Sequence, residues 1–187
     1  RYNGKNINIT SLFGVESNDR RYIRETIIDG NQNGAVVVFL DGETRNAILN
    51  GLTVTNGSGY YISGAARTSS GGGIYIVNSS PIISNCIVEN NWAVSGGGIY
   101  SAQGNSLLSG NTIRHNRALE NYGGICSSGA EFCNELLNSV YFNYSSARGS
   151  DLYLGGRNQR QVIIDTLTVK NPDIYFVEEY IVPDDFT

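Results

Sequence analysis

The chain has 187 residues, with 17 acidic against 13 basic side chains and a net charge of −4. That balance leaves no basic footprint for nucleic acid or for an anionic membrane surface. No apolar run approaches the roughly 18 residues of a membrane span, so direct membrane insertion is not expected, and Arg1 to Lys5 do not read as a signal peptide.

Only 16% of residues are charged, and polarity comes instead from 23 Gly with many Asn and Ser, a mixture suited to short strands and tight turns. The segment Asn6 to Leu12 alternates Ile7 and Ile9 and predicts a first strand. An Arg-rich stretch from Glu16 to Arg24 reads as a polar loop. After TIIDGN, the strand Val36 to Leu40 and the unit AILNGLTVTN, residues 57–70 insert a long loop. Loops of that length are where binding residues gather, although Tyr60 and Tyr61 also suit a loop that packs its own aromatics.

From Gly71 the chain repeats itself: GGGIYIVNSSPIISNCIVENN recurs as GGGIYSAQGNSLLSGNTIRHN. Ile74 to Ile99 spans 25 residues, Ile99 to Ile125 spans 26 and Ile125 to Leu152 spans 27, so one aliphatic column drifts only by small insertions. A second column runs Val54, Val88, Ile113, Val140, Val169. A unit of about 25 residues with two or three strands and no helical period predicts one coil of a β-solenoid, each coil hydrogen-bonded to the next. The expected fold is therefore all-β, a right-handed parallel β-helix of about six coils. After Asn171 the pattern changes to DIYFVEEYIVPDDFT, giving a β-helix over 1–174 and a cap or linker segment over 175–187.

Asn56, Asn90 (or its neighbour Asn91), Asn116, Asn143 and Asn171 follow the second column at a nearly fixed offset. Asn tolerates the left-handed backbone of sharp turns, and stacked amides can bond coil to coil. The glycines of GGGIY supply positive φ or close coil-to-coil approach at another corner. A phosphate-cradling reading of those glycines needs a following helix, and none is expected.

On these units, GGGIY followed by SPIISNCIVENN, the chain resembles the repeats of bacterial right-handed parallel β-helix surface proteins. They include proteins with choice-of-anchor domains and, more distantly, chlamydial polymorphic outer-membrane proteins. The resemblance runs from Thr26 to Asn171 and implies the fold and an extracellular or cell-surface setting. It matches no catalytic motif, so no catalytic residue is carried over, and the fold itself hosts many activities. The lack of any Met, at position 1 or elsewhere, fits a processed or excised piece of a longer precursor.

Outward residues of stacked coils form ladders about 4.8 Å apart. One ladder is Tyr75, Tyr100, Cys126 and Tyr153; its tyrosines suit stacking on sugar rings, or simple cross-strand stabilisation. The other is Thr55, Glu89, Arg114, Tyr141 and Lys170, a mixed-charge stripe suited to a polysaccharide or cell-surface glycan. Its Glu89–Arg114 pair has a purely structural reading as well. Cys126 and Cys133 flank a short segment that a disulfide would close in an oxidising compartment, and Cys86 reads as a small buried hydrophobe.

The chief alternative is a polysaccharide lyase or glycoside hydrolase, which needs paired carboxylates or an acid-bound Ca²⁺. From Gly71 to Gly123 the only acids are Glu89 and Glu120. Asp29, Asp41 and Glu43, or Asp151 and Asp165, show no catalytic spacing, and Asp29 reads better as a turn residue. No cofactor and no metal are expected. The expectation is a structural or adhesion module that contacts glycans and associates end to end through its terminal coils.

Overall fold

The computed structural model describes residues 1–15, 19–61, 68–133 and 136–155. The β-branched runs are short and are broken by Gly, Asn or Ser, so each forms a strand of two to five residues and then turns a corner. The strands fall into four five-stranded sheets. In chain order around one coil, the first sheet contains Asn8–Thr10, Ile48–Asn50, Ile82–Ser84, Leu107–Ser109 and Glu131–Phe132. The second contains Ile27–Asp29, Thr53–Thr55, Ile87–Glu89, Thr112–Arg114 and Ser139–Tyr141. The third contains Tyr60–Tyr61, Ser69–Ser70, Trp92–Ser95, Arg117–Asn121 and Tyr144–Ser145. The fourth contains Val37–Phe39, Ile74–Val77, Ile99–Ala102, Ile125–Ser127 and Leu152–Leu154.

Strands within each sheet pair in parallel with the coil before and after, apart from the antiparallel hairpin of Tyr60–Tyr61 with Ser69–Ser70. The molecule is thus a parallel β-helix. The described residues make about five coils where the sequence suggested about six, and residues 156–187, where a further unit was expected, lie outside the described residues. A coil also carries four strands rather than two or three. The left-handed residues Asn85 and Asn90 cut what reads as one apolar stretch into three sides.

The interior columns are those the spacing implied. Val37, Ile74, Ile99, Ile125 and Leu152 stack in one file of the fourth sheet. Ile28, Val54, Val88, Ile113 and Val140 stack in the second sheet. The first sheet adds Ile9, Leu49, Ile83, Leu108 and Phe132. Ile74, Ile99, Ile125, Val54, Val88, Ile113, Leu49, Ile83 and Leu108 are wholly buried. Each such side chain contributes about 1.5–3 kcal/mol of apolar burial, which makes these files the main source of cohesion.

Two N-terminal features lie outside the repeat. Tyr2 joins the core: its ring lies 4.2 Å from Phe39, and its hydroxyl donates to the Ile48 carbonyl at 2.7 Å. The expected Arg-rich loop includes a short helix, Arg21–Glu25, whose Ile23 is buried and whose Ile23 carbonyl accepts the Thr53 hydroxyl. One apolar residue in an otherwise polar stretch gives no period to read, so the sequence did not reveal it. The boundary expected near residue 174, together with Lys170 and Asn171, lies outside the described residues.

Candidate functional site

The corner between the second and third sheets is built by two adjacent columns. Asn56, Asn90, His115 and Phe142 sit at φ of 58°, 56°, 54° and 54°. This left-handed turn swings the next residue inward. That next residue is Asn91, Asn116 or Asn143 in successive coils, each nearly inaccessible. The Asn91 backbone N–H and side-chain amide both donate to Asn116 Oδ1, at 3.1 and 3.0 Å. Asn116 repeats the pattern on Asn143 at 3.0 Å, and Asn143 repeats it on Asp151. At the other end, Asn91 Oδ1 accepts the Gly57 N–H.

The single Asn column expected from the sequence is therefore two columns. Asn56 and Asn90 belong to the exposed left-handed position, and Asn116 and Asn143 to the buried ladder, where Asn91 rather than Asn90 is their partner. Sequence spacing could not separate neighbours that both carry Asn. A second amide pair, buried Asn111 and half-buried Asn138, does the same between the first and second sheets, with Cys86 N–H donating to Asn111. It escaped notice because Leu52 and Cys86 occupy that column in the preceding coils.

With the turn fixed, three outward columns line up on this corner. Thr55, Glu89, Arg114 and Tyr141 pair in register as expected, with Asp29 extending the column by one coil. Trp92, Arg117 and Tyr144 pair likewise on the third sheet, and the left-handed column lies between. One coil thus presents Glu89, Asn90 and Trp92. The next presents Arg114, His115 and Arg117, and the next Tyr141, Phe142 and Tyr144. Only the first column was anticipated, since the other two emerge from where the corner turns.

Contacts along these columns are close. Arg114 Nε donates to Glu89 at 2.8 Å, and its terminal nitrogen reaches the Tyr141 hydroxyl at 3.5 Å. The bond to Glu89, and then the one to Tyr141, raises the Arg114 guanidinium above its ordinary pKa. His115 stacks on Phe142 at 5.7 Å, Tyr141 meets Phe142 edge-on at 5.2 Å, and the Arg117 guanidinium lies 5.6 Å over the Tyr144 ring. Phe142 and Tyr144 remain 60% and 53% exposed, a degree at which large rings face solvent.

The other ladder is real in register, since Tyr75, Tyr100, Cys126 and Tyr153 pair on the fourth sheet. Its first member is nevertheless covered. Tyr75 lies between Tyr60, at 4.6 Å, and Tyr100, at 5.6 Å, in a stack closed by the hairpin, and it is only 5% exposed. The insertion therefore packs Tyr60 on the coils, while Tyr61 faces out. Tyr153 stacks on Tyr122 at 4.2 Å. Burial, then the neighbouring phenols of Tyr100 and Tyr60, pushes the Tyr75 hydroxyl above its usual pKa.

The disulfide considered for Cys126 and Cys133 is not formed, and Cys86, Cys126 and Cys133 all lie outside any disulfide. Cys126 faces outward from the fourth sheet between Tyr100 and Tyr153. Cys133 follows Glu131–Phe132 of the first sheet, its N–H held by the Leu108 carbonyl, so the corner between them sets the two on different walls. Burial pushes the Cys126 thiol up to about 12 and the Cys86 thiol up to about 11, which leaves both as thiols rather than nucleophilic thiolates.

Asp29, Glu43 and Glu131 are each engaged separately, and Asp165 lies outside the described residues. Asp29 accepts from the Asn31 N–H and from the Asn56 amide, a turn role that holds its carboxyl below its usual pKa. Glu43 is buried and accepts from Gly4 N–H, Asp41 N–H and the Ser79 hydroxyl at 3.0, 3.0 and 2.7 Å. Glu131 binds Arg45 and Asn105. Among the described residues no group of three or more His, Cys, Asp or Glu side chains is placed to hold a metal ion. Likewise, no described helix is long and apolar enough to cross a membrane. No protein-family model, no curated protein and no solved structure matches the chain.

Proposed function

We propose that this chain is a structural, glycan-contacting β-helix module of a secreted or cell-surface protein. The observation that carries the reading is the three-by-three array at the corner of the second and third sheets. There the backbone stacking holds a row of Tyr141, Phe142 and Tyr144, of which Phe142 and Tyr144 are exposed, directly beside a row of Arg114, His115 and Arg117. Rings with one free face bind pyranose rings by stacking, and flanking donors orient the hydroxyls. The resemblance of the GGGIY units to bacterial surface β-helix repeats supports the same setting. End-to-end association between copies belongs to this proposal too.

A glycan array combined with a polysaccharide-depolymerisation assay tests the reading. Binding without turnover is expected, with the double variant Phe142→Asn and Tyr144→Ala weakening it about tenfold through two lost ring contacts. Asn keeps the left-handed turn at position 142. Release of unsaturated or reducing ends would instead make the chain an enzyme and overturn the proposal.

A further inference from the structure

The array also carries information about which glycan it fits. Its middle row holds two guanidiniums and an imidazole, all on one coil and all facing outward. Arg114 is neutralised by Glu89, whereas Arg117 is exposed, pairs with no acid among the described residues, and is steered only by the Tyr144 ring. His115 is exposed at the left-handed position between them, its ring laid against Phe142. A guanidinium without a carboxylate partner, bordered by aromatic faces, is a poor match for a neutral hydroxyl surface. It is a good match for an anionic group carried on a sugar ring, two of whose oxygens it binds through paired N–H donors.

Resting on the glycan-contact reading above, we infer that the array binds an acidic polysaccharide. The acid group, a carboxylate or a sulfate, lies against Arg117 and His115 in the middle row, and the sugar ring that bears it stacks on the adjacent row of Phe142 and Tyr144. The side-by-side rows set the order of subsites: charge on one coil, ring on the next, about 4.8 Å apart. Arg114 positions rather than neutralises, because its charge is already spent on Glu89 while its terminal nitrogen holds the Tyr141 hydroxyl. The overall charge of −4 sharpens the point, since long-range attraction of an anion to this chain has to come from a local site.

Isothermal titration with three probes tests this: a tetragalacturonate, its fully methyl-esterified form, and a sulfated galactan tetrasaccharide. At least one acidic probe is expected to bind at least tenfold more tightly than the methyl ester, by an amount that falls as salt is raised. Whichever acidic probe binds identifies the acid group. The double variant Arg117→Gln and His115→Asn is expected to lose about tenfold or more on that probe and clearly less on the methyl ester, so that the acid-over-ester preference collapses, a loss in line with one charged hydrogen-bond set. Asn preserves the backbone at position 115, and an unaltered thermal transition of the variant shows that the fold is kept. Equal binding of ester and acid would overturn the inference and leave the glycan-contact reading standing. An acid preference untouched by the double variant would overturn this placement. Failure of every probe, together with an empty glycan array, would remove both readings.

Discussion

Asn116 shows how much of this fold hangs on single buried amides. Its Oδ1 accepts both donors of Asn91, and its Nδ2 donates to the Val88 carbonyl at 2.9 Å and to Asn143. Truncation strands several of these groups without admitting water, at about 1–3 kcal/mol for a buried polar group left unpaired. Asn116→Ala should therefore lower unfolding stability by about 3 kcal/mol in a urea titration, and a loss below about 1 kcal/mol would show that the ladder is ornamental. Glu43 is the acid counterpart. Burial alone would raise its pKa, but hydrogen bonds from Ser79, Gly4 and Asp41 together hold it below its ordinary value of 4.5. A carboxylate with a depressed folded pKa stabilises fully above its unfolded pKa, and that contribution is lost as pH falls through the folded value. Stability should fall below about pH 4.5, and Glu43→Gln, though less stable at neutral pH, should show a flatter acid limb when melting is followed from pH 6 to pH 3. An unchanged acid limb would assign acid sensitivity to other groups.

At the scale of the elements, corners rather than strands decide the structure. Gly97 lies where successive coils come close: a Cβ there would sit 2.4 Å from the Arg117 carbonyl oxygen and 2.7 Å from that of Gly123. Both are backbone atoms of the next coil and cannot rotate aside, so Gly97→Ala should cost about 1–3 kcal/mol as overpacking. Equilibrium unfolding checks this, and a neutral substitution would mean that the coils slide apart freely. The same corners explain what was legible in the sequence. The files of Ile74, Ile99 and Ile125 and of Val54, Val88 and Ile113 could be read in advance, because alternation and a near-constant period fix both face and phase. The outward column through Glu89 and Arg114 followed from them by one residue. What could not be read depended on where the chain turns. Asn90 and Asn91 both fit the turn, so the buried ladder and the exposed column merged into one, and the Trp92, Arg117, Tyr144 column was lost with the distinction. The hairpin that brings Tyr60 onto Tyr75 joins an insertion to a repeat, a contact that no internal period encodes.

On the scale of the whole molecule, a solenoid makes its contacts only with neighbouring coils, so its ends differ from its middle. The N-terminal end shows the difference clearly. Asn8–Thr10 is the outermost strand of the first sheet and Ile27–Asp29 that of the second. Ile9 belongs to the interior file of Leu49, Ile83 and Leu108, which are fully buried, yet it is 36% exposed, and Ile7 is 46% exposed. Such an end offers backbone hydrogen-bonding groups and apolar side chains in the arrangement that another coil uses, and native proteins blunt edges of this kind with charge, especially Lys. The end-to-end association proposed above would place a second copy of the chain there, with strands of the same spacing. Sedimentation velocity should accordingly show a shift from monomer toward dimer as concentration rises, with a melting temperature that rises in parallel because association stabilises the folded state by mass action. Ile9→Lys places a charge at the centre of the edge, where it should hold the chain monomeric while leaving the melting temperature of the dilute protein within a few degrees of its original value. A chain that sediments as a monomer at every concentration, with or without Lys at position 9, would show that this end is already sufficient by itself and that copies do not meet there.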